Sequence, residues 1–106
     1  MEVKISRDFS ETPGARSRAD GKYSGEEFRE EYLIPAYLEA KKKHEKLIID
    51  LDGGYGYPTS FLEEAFGGLA RKFDSSSVLS ILSFISNDEP SLIEEIQEYI
   101  NNANKE

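Results

Sequence analysis

Leu47-Ile-Ile-Asp-Leu51 runs directly into Asp52-Gly-Gly-Tyr-Gly-Tyr-Pro58 and then, past Thr59, into Ser60-Phe-Leu-Glu63. The first piece is a short, nearly continuous apolar run, the pattern of a central strand covered on both faces. Three glycines and a proline then make a loop at the carboxyl end of that strand, where α/β proteins place their sites. Ser60 and Glu63 have the spacing of a capping box, which starts a helix. Phe61, Leu62, Ala65, Phe66, Leu69, Ala70 and Phe73 give that helix a broad apolar face. Gly67-Gly68 lies inside it, at a cost of about 1 kcal/mol per glycine relative to alanine, which close approach of the helix to the sheet would offset.

Working outward, Val3, Ile5 and Phe9 alternate among polar residues as in an edge strand over 1–9. Residues 11–23 hold Pro13, Gly14 and Gly21 with Arg16, Arg18 and Lys22, a cationic loop with room for a short second strand. Ser24-Gly-Glu-Glu27 reads as another capping box, opening a helix that buries Phe28, Tyr32, Leu33, Ala36, Tyr37 and Ala40. Pro35 must kink or split it, because the ring removes a donor and crowds the carbonyl of Glu31. The helix ends in Lys41, Lys42, Lys43, His44 and Lys46, cations suited to the negative end of its dipole, with His44 a solvated helix-end residue. Downstream, Val78 to Ile85 predicts a buried strand. Asn87-Asp-Glu-Pro90 caps a last helix with Leu92, Ile93, Ile96, Tyr99 and Ile100 inward, and the tail from residue 100 to 106 frays. The order predicts a single α/β domain over 1–106, a mixed sheet of about four strands with three helices and right-handed crossovers.

Composition narrows the function. The chain of 106 residues has 13 Lys+Arg against 21 Asp+Glu, a net charge of -8, no Cys and one His. Thiolate chemistry and Cys- or His-cluster metal sites are therefore excluded, and no cofactor is expected. The acidic balance opposes nucleic-acid binding, which needs surplus cations on one face. No apolar run approaches the ~20 residues of a membrane span, and Met1-Glu-Val-Lys-Ile5 has no leader-like apolar segment. A cytoplasmic protein with a protein partner is the expectation, its oligomeric state open.

Several residues carry candidate chemistry. Tyr55 and Tyr57 on the glycine loop are either exposed anchors for a partner or side chains folded back over the sheet edge. Phe61 joins them at the helix start, and Arg16 and Arg18 are candidates to pair with an acidic partner or with the acidic turn near Asp52. Ser60 reads most simply as an N-cap, and it also sits where first-turn amides and the dipole favour a phosphate. Ile48-Ile-Asp-Leu-Asp-Gly53 also looks like the phosphatase motif of haloacid dehalogenases, with Asp50 as nucleophile and Asp52 as acid/base beside Mg²⁺. Gly follows Gly53 there, however, and no downstream Lys and acidic pair completes that metal site.

The block from Asp50 to Leu69, with Pro13-Gly-Ala-Arg16 and Ser24-Gly-Glu-Glu-Phe-Arg29, resembles the STAS-like family of unknown function DUF4325. That family looks related to the STAS domains of anti-sigma-factor antagonists, small α/β regulators switched by phosphorylation at a helix start. Thr59 and Ser60 match the hydroxyl pair of those domains, with Pro58 in place of the preceding acid and Phe61 in place of the following glycine. The resemblance implies a bacterial-type signal-transduction module that is not an enzyme. It would bind a protein partner, an anti-sigma-like or histidine-kinase-type (GHKL) ATPase, with Ser60 or Thr59 as the phosphorylated residue. The alternative is a small Mg²⁺-dependent phosphatase using Asp50 and Asp52.

Overall fold

The computed structural model describes residues 1–103. Strand β2 (Leu47–Asp50) lies between β1 (Glu2–Lys4) and β3 (Leu82–Ile85), and both pairings are parallel, with Ile49 level with Val3 and Phe84. The sheet thus has three strands of one direction, where about four in a mixed arrangement were expected. Among the described residues five helices accompany it: α1 (Ile5–Asp8), α2 (25–43), α3 (59–73), α4 (Ser75–Ile81) and α5 (Ser91–Asn102). Three had been expected. Residues 11–23 hold a 3-10 turn at Arg18–Asp20 and no strand.

The two extra helices are short and were hidden inside patterns read as strands. Ile5 and Phe9 are four apart, a helical spacing as well as an approximate alternation. The chain turns at Ile5, which is buried, and Asp8 reaches back to accept the outward Lys4 amide at 2.9 Å. That contact ends β1 after three residues and blunts its open edge. Val78 to Ile81 likewise belongs to α4 and only Leu82 onward to β3. The Asp74 carboxylate caps α4 by accepting the Ser77 amide at 3.2 Å, and the Ser80 hydroxyl donates to the Ser77 carbonyl at 2.7 Å.

Among the described residues only one face of the sheet is covered. Val3, Leu47, Ile49 and Leu82 are buried, and Phe84 packs on Phe66 at 5.8 Å between rings. The opposite face carries Glu2, Lys4, Ile48, Asp50, Ser83 and Ile85, none of them buried. The two-sided burial expected of β2 is therefore absent, and so is the full burial expected of β3. Strands added in sequence order by crossovers of one hand leave their helices on one side. Polar residues and a Lys4–Asp50 ion pair at 3.6 Å make the bare face compatible with water.

Helices α2 and α3 each contain one π-turn, Arg29–Leu33 and Glu63–Gly67. In α2 this turn directly precedes Pro35: the Ile34 amide bonds back to the Arg29 carbonyl, and the widened turn accommodates a ring that lacks a donor. The helix continues through the proline without splitting. Ser24 caps it as expected, accepting the Glu27 amide at 3.0 Å. His44 ends it in a left-handed conformation and is exposed. Gly67 and Gly68 do not meet the sheet. A Cβ at Gly68 would lie 2.5 Å from Nη1 of Arg29, and one at Gly67 would lie 2.7 Å from Oε2 of Glu63, so the diglycine makes room for charged side chains between α2 and α3. At the C-terminus, Ile100 and Ala103 are buried and α5 extends to Asn102, so the expected fraying does not begin at residue 100. Residues 104–106 of that tail lie outside the described residues.

Candidate functional site

The loop after β2 is held by the loop after β3. The Leu51 amide donates to the Ile85 carbonyl at 2.8 Å, and the two oxygens of Asp52 accept the Asn87 side-chain amide at 3.0 Å and the Asp88 backbone amide at 2.9 Å. Asp88 returns a contact, accepting the Gly53 amide at 3.0 Å. These donors hold the Asp52 carboxyl below its ordinary range, the Asp88 amide contributing most. Asp50 accepts the Asp52 amide at 3.0 Å and faces Lys4. Both aspartates of the phosphatase reading are thus engaged in shaping the loop. Asn87 and Asp88, read from sequence as part of a helix cap, with Phe84-Ile-Ser-Asn87 also similar to the second phosphatase motif, are half of the clamp. Their partner Asp52 is 35 and 36 residues away in the chain, so spacing carried no signal of it.

The two loop tyrosines have separate fates. Tyr55 projects into solvent at 84% exposure, with its amide tied to the Glu11 carbonyl at 2.9 Å. Tyr57 folds back, half-buried, and donates its hydroxyl to the Leu51 carbonyl at 2.9 Å. Burial raises its ionisation well above the ordinary tyrosine value, and Asp50, Asp52 and Asp88 add to the effect. Phe61, expected at the partner surface, is wholly buried against Phe9, Phe28 and Tyr57 and presents no contact surface.

Helix α3 opens two residues earlier than the capping-box reading requires. Its N-cap is Pro58, whose carbonyl accepts the Phe61 and Leu62 amides at 3.1 and 3.2 Å. Thr59 and Ser60 are therefore the first two helical residues, and Ser60 is not the cap. Thr59 is exposed and Ser60 half-buried. The Thr59 hydroxyl lies beside that of Tyr99, which donates to Glu95 at 2.7 Å. Tyr99 was expected only as a core residue of α5. First-turn amides of a helix have no carbonyl of a preceding turn to bond, so the Thr59–Ser60 end of α3 is where added negative charge is best tolerated.

Glu63, the other half of the expected capping box, faces the opposite way. Its carboxylate accepts Arg71 at 2.6 Å and Arg16 at 2.5 Å, which together hold it below the ordinary glutamate range. Glu64 pairs with Arg29 at 2.5 Å. Arg18 bonds Glu30 and Glu31, each at 3.0 Å. Arg16 and Arg18 thus serve to pin the 11–23 loop onto α3 and α2, and neither reaches the turn at Asp52. Thr59, Tyr55 and the loop clamp lie at one end of the molecule, the carboxyl end of the parallel sheet.

No helix among the described residues is long and apolar enough to cross a membrane. No curated protein and no solved structure matches the chain. A family model does, over residues 24–92, from the Ser24 cap through α2, β2, the tyrosine loop, α3 and β3 to the start of α5. The chain belongs to the STAS-like domain family of unknown function, DUF4325.

Proposed function

We propose that the protein is a regulatory, protein-binding domain whose docking surface is the carboxyl end of the sheet, and that Thr59 or Ser60 is its phosphorylation switch. The observation that carries this reading is the arrangement at the start of α3. Two hydroxyl residues occupy its first turn, next to a rigidly clamped loop that presents Tyr55 almost fully to solvent. An exposed tyrosine on a fixed loop is an amphipathic anchor that loses little entropy on binding. A phosphate on the adjoining turn would add charge of about -1.5 to -2 there. On Thr59 it would also stand beside the Tyr99–Glu95 pair, so modification and docking would oppose one another. Thr59 is the more accessible acceptor, which favours it over Ser60.

The expected partner is an anti-sigma-like or GHKL-type ATPase, which is also the candidate kinase, and the domain itself performs no catalysis. The use of both Asp50 and Asp52 in the loop supports the binding role over the phosphatase one. The test is incubation of the full chain with such an ATPase and ATP, followed by mass spectrometry to locate phosphate and by binding measurements on Tyr55→Ala and Thr59→Asp. Phosphate on Thr59 or Ser60, with weaker binding by both variants, is expected. Phosphate on neither residue would remove the switch, and unchanged binding by Tyr55→Ala would remove the docking surface. Mg²⁺-dependent hydrolysis of a phosphomonoester that disappears in Asp50→Asn would overturn the non-catalytic assignment.

A further inference from the structure

Away from the tyrosine loop, α2 and α3 enclose a hollow lined by Arg29, Glu64, Gly68, Arg71 and Lys72. Gly68 makes room for one of its walls, since a side chain there would begin 2.5 Å from the Arg29 guanidinium. Its walls are cationic in a chain of net charge -8. Arg29, only 16% exposed, uses Nη1 for both the Glu64 carbonyl at 2.7 Å and the Glu64 carboxylate. Arg71 uses Nη1 for Glu63. Among the described residues, the Nε and Nη2 donors of both arginines have no hydrogen-bond partner, and the Lys72 ammonium has only the Phe73 ring, 5.8 Å away. With Arg16 also on Glu63, four cations stand against the two carboxylates Glu63 and Glu64.

We infer that this hollow is a binding site for a phosphoryl group. Two guanidinium forks with free donors and one ammonium match the several acceptor oxygens and the double negative charge of a phosphate monoester. The Glu63 and Glu64 pairs fix the arginines in place, so little side-chain entropy remains to be lost on binding. Gly68 lets the Arg29 guanidinium lie flat against α3, which sets one cationic wall of the site. Both π-turns border the site, Arg29 opening one and Glu64 lying in the other, and such turns are frequent at functional positions. The phosphoryl group is either inorganic phosphate or a phosphorylated side chain of another protein. The site is independent of any phosphorylation at Thr59 or Ser60.

The experiment is a titration of the ¹⁵N-labelled full chain with sodium phosphate at constant ionic strength, then with a phosphoserine peptide and its unphosphorylated twin. Saturating shifts at residues 64, 68, 71 and 72 and at the Arg29 side chain are expected. Lys72→Glu, an exposed position whose fold is checked by its melting curve, is expected to weaken binding by about tenfold. Lys72→Gln is expected to fall between the two. Saturation by phosphate and phosphopeptide, or by the phosphopeptide alone, supports the site, the latter assigning the phosphoryl group to a protein partner. The inference is overturned by drift without saturation, by equal shifts at Lys41 to Lys46, by equal binding of the unphosphorylated peptide, or by a Lys72→Glu titration indistinguishable from wild type.

Discussion

Gly25→Ala is the smallest change that strikes at the seat of the candidate site. Gly25 is the first residue of α2, and its amide donates to the Ala15 carbonyl at 2.8 Å. An added Cβ would stand 2.6 Å from the Phe61 carbonyl oxygen, 2.9 Å from Cβ of Glu64 and 3.3 Å from the Ala65 amide. Ordinary contact begins near 3.4 Å, so α2 and α3 must separate by about 0.8 Å. The nearest obstacle is backbone, and no rotamer change relieves it. Overpacking of this kind costs about 1–3 kcal/mol. Alanine's helical advantage over glycine, at most about 1 kcal/mol and less at a helix start, offsets part of it. The remainder is a loss of about 1–2 kcal/mol, which for a domain of this size lowers the melting temperature by roughly 5–15 °C. Circular-dichroism melts and urea unfolding measure it. Because Phe61 follows Ser60 directly, the amide resonances of residues 59–62 should move as well. A variant that melts at or above the wild-type temperature with those resonances unmoved would refute the close-approach argument.

Tyr57→Phe should fold but lose about 1 kcal/mol, because the Leu51 carbonyl forfeits the hydroxyl that spans the loop. Thermal melts check it. Ser60→Ala should change stability by less than about 0.5 kcal/mol, since Ser60 is not an N-cap, whereas Ser24→Ala should cost about 1 kcal/mol or more. Paired urea titrations distinguish the two. Glu63 has its folded-state ionisation depressed by Arg71 and Arg16, so its contribution is present above the ordinary value near 4.5 and is lost as pH falls through the lower folded value. Unfolding free energies from pH 7 down to pH 3 should therefore decline less steeply in Glu63→Gln than in wild type, and parallel curves would contradict this.

Local chemistry in the sequence determined β2, the loop behind it, the Ser24 cap, the apolar faces of α2 and α3, and the family block that runs through them. Each depends on a periodicity or a cap complete within a few residues, which no distant contact has to supply. Where two periods fit the same residues, the tertiary structure chose between them. Ile5 and Phe9 became a helical turn because Asp8 captured the Lys4 amide, and Val78 to Ile81 became a helix because Asp74 capped it. The fates of Tyr55 and Tyr57, two residues apart on one loop, were also decided there. Only one of them reaches the Leu51 carbonyl. The same holds for the charged residues: Asp52 meets Asp88, Arg16 meets Glu63 and Arg29 meets Glu64 across 35 to 47 positions. A contact of that separation leaves no periodic trace in the chain, because the geometry that joins its members exists only after the elements have packed.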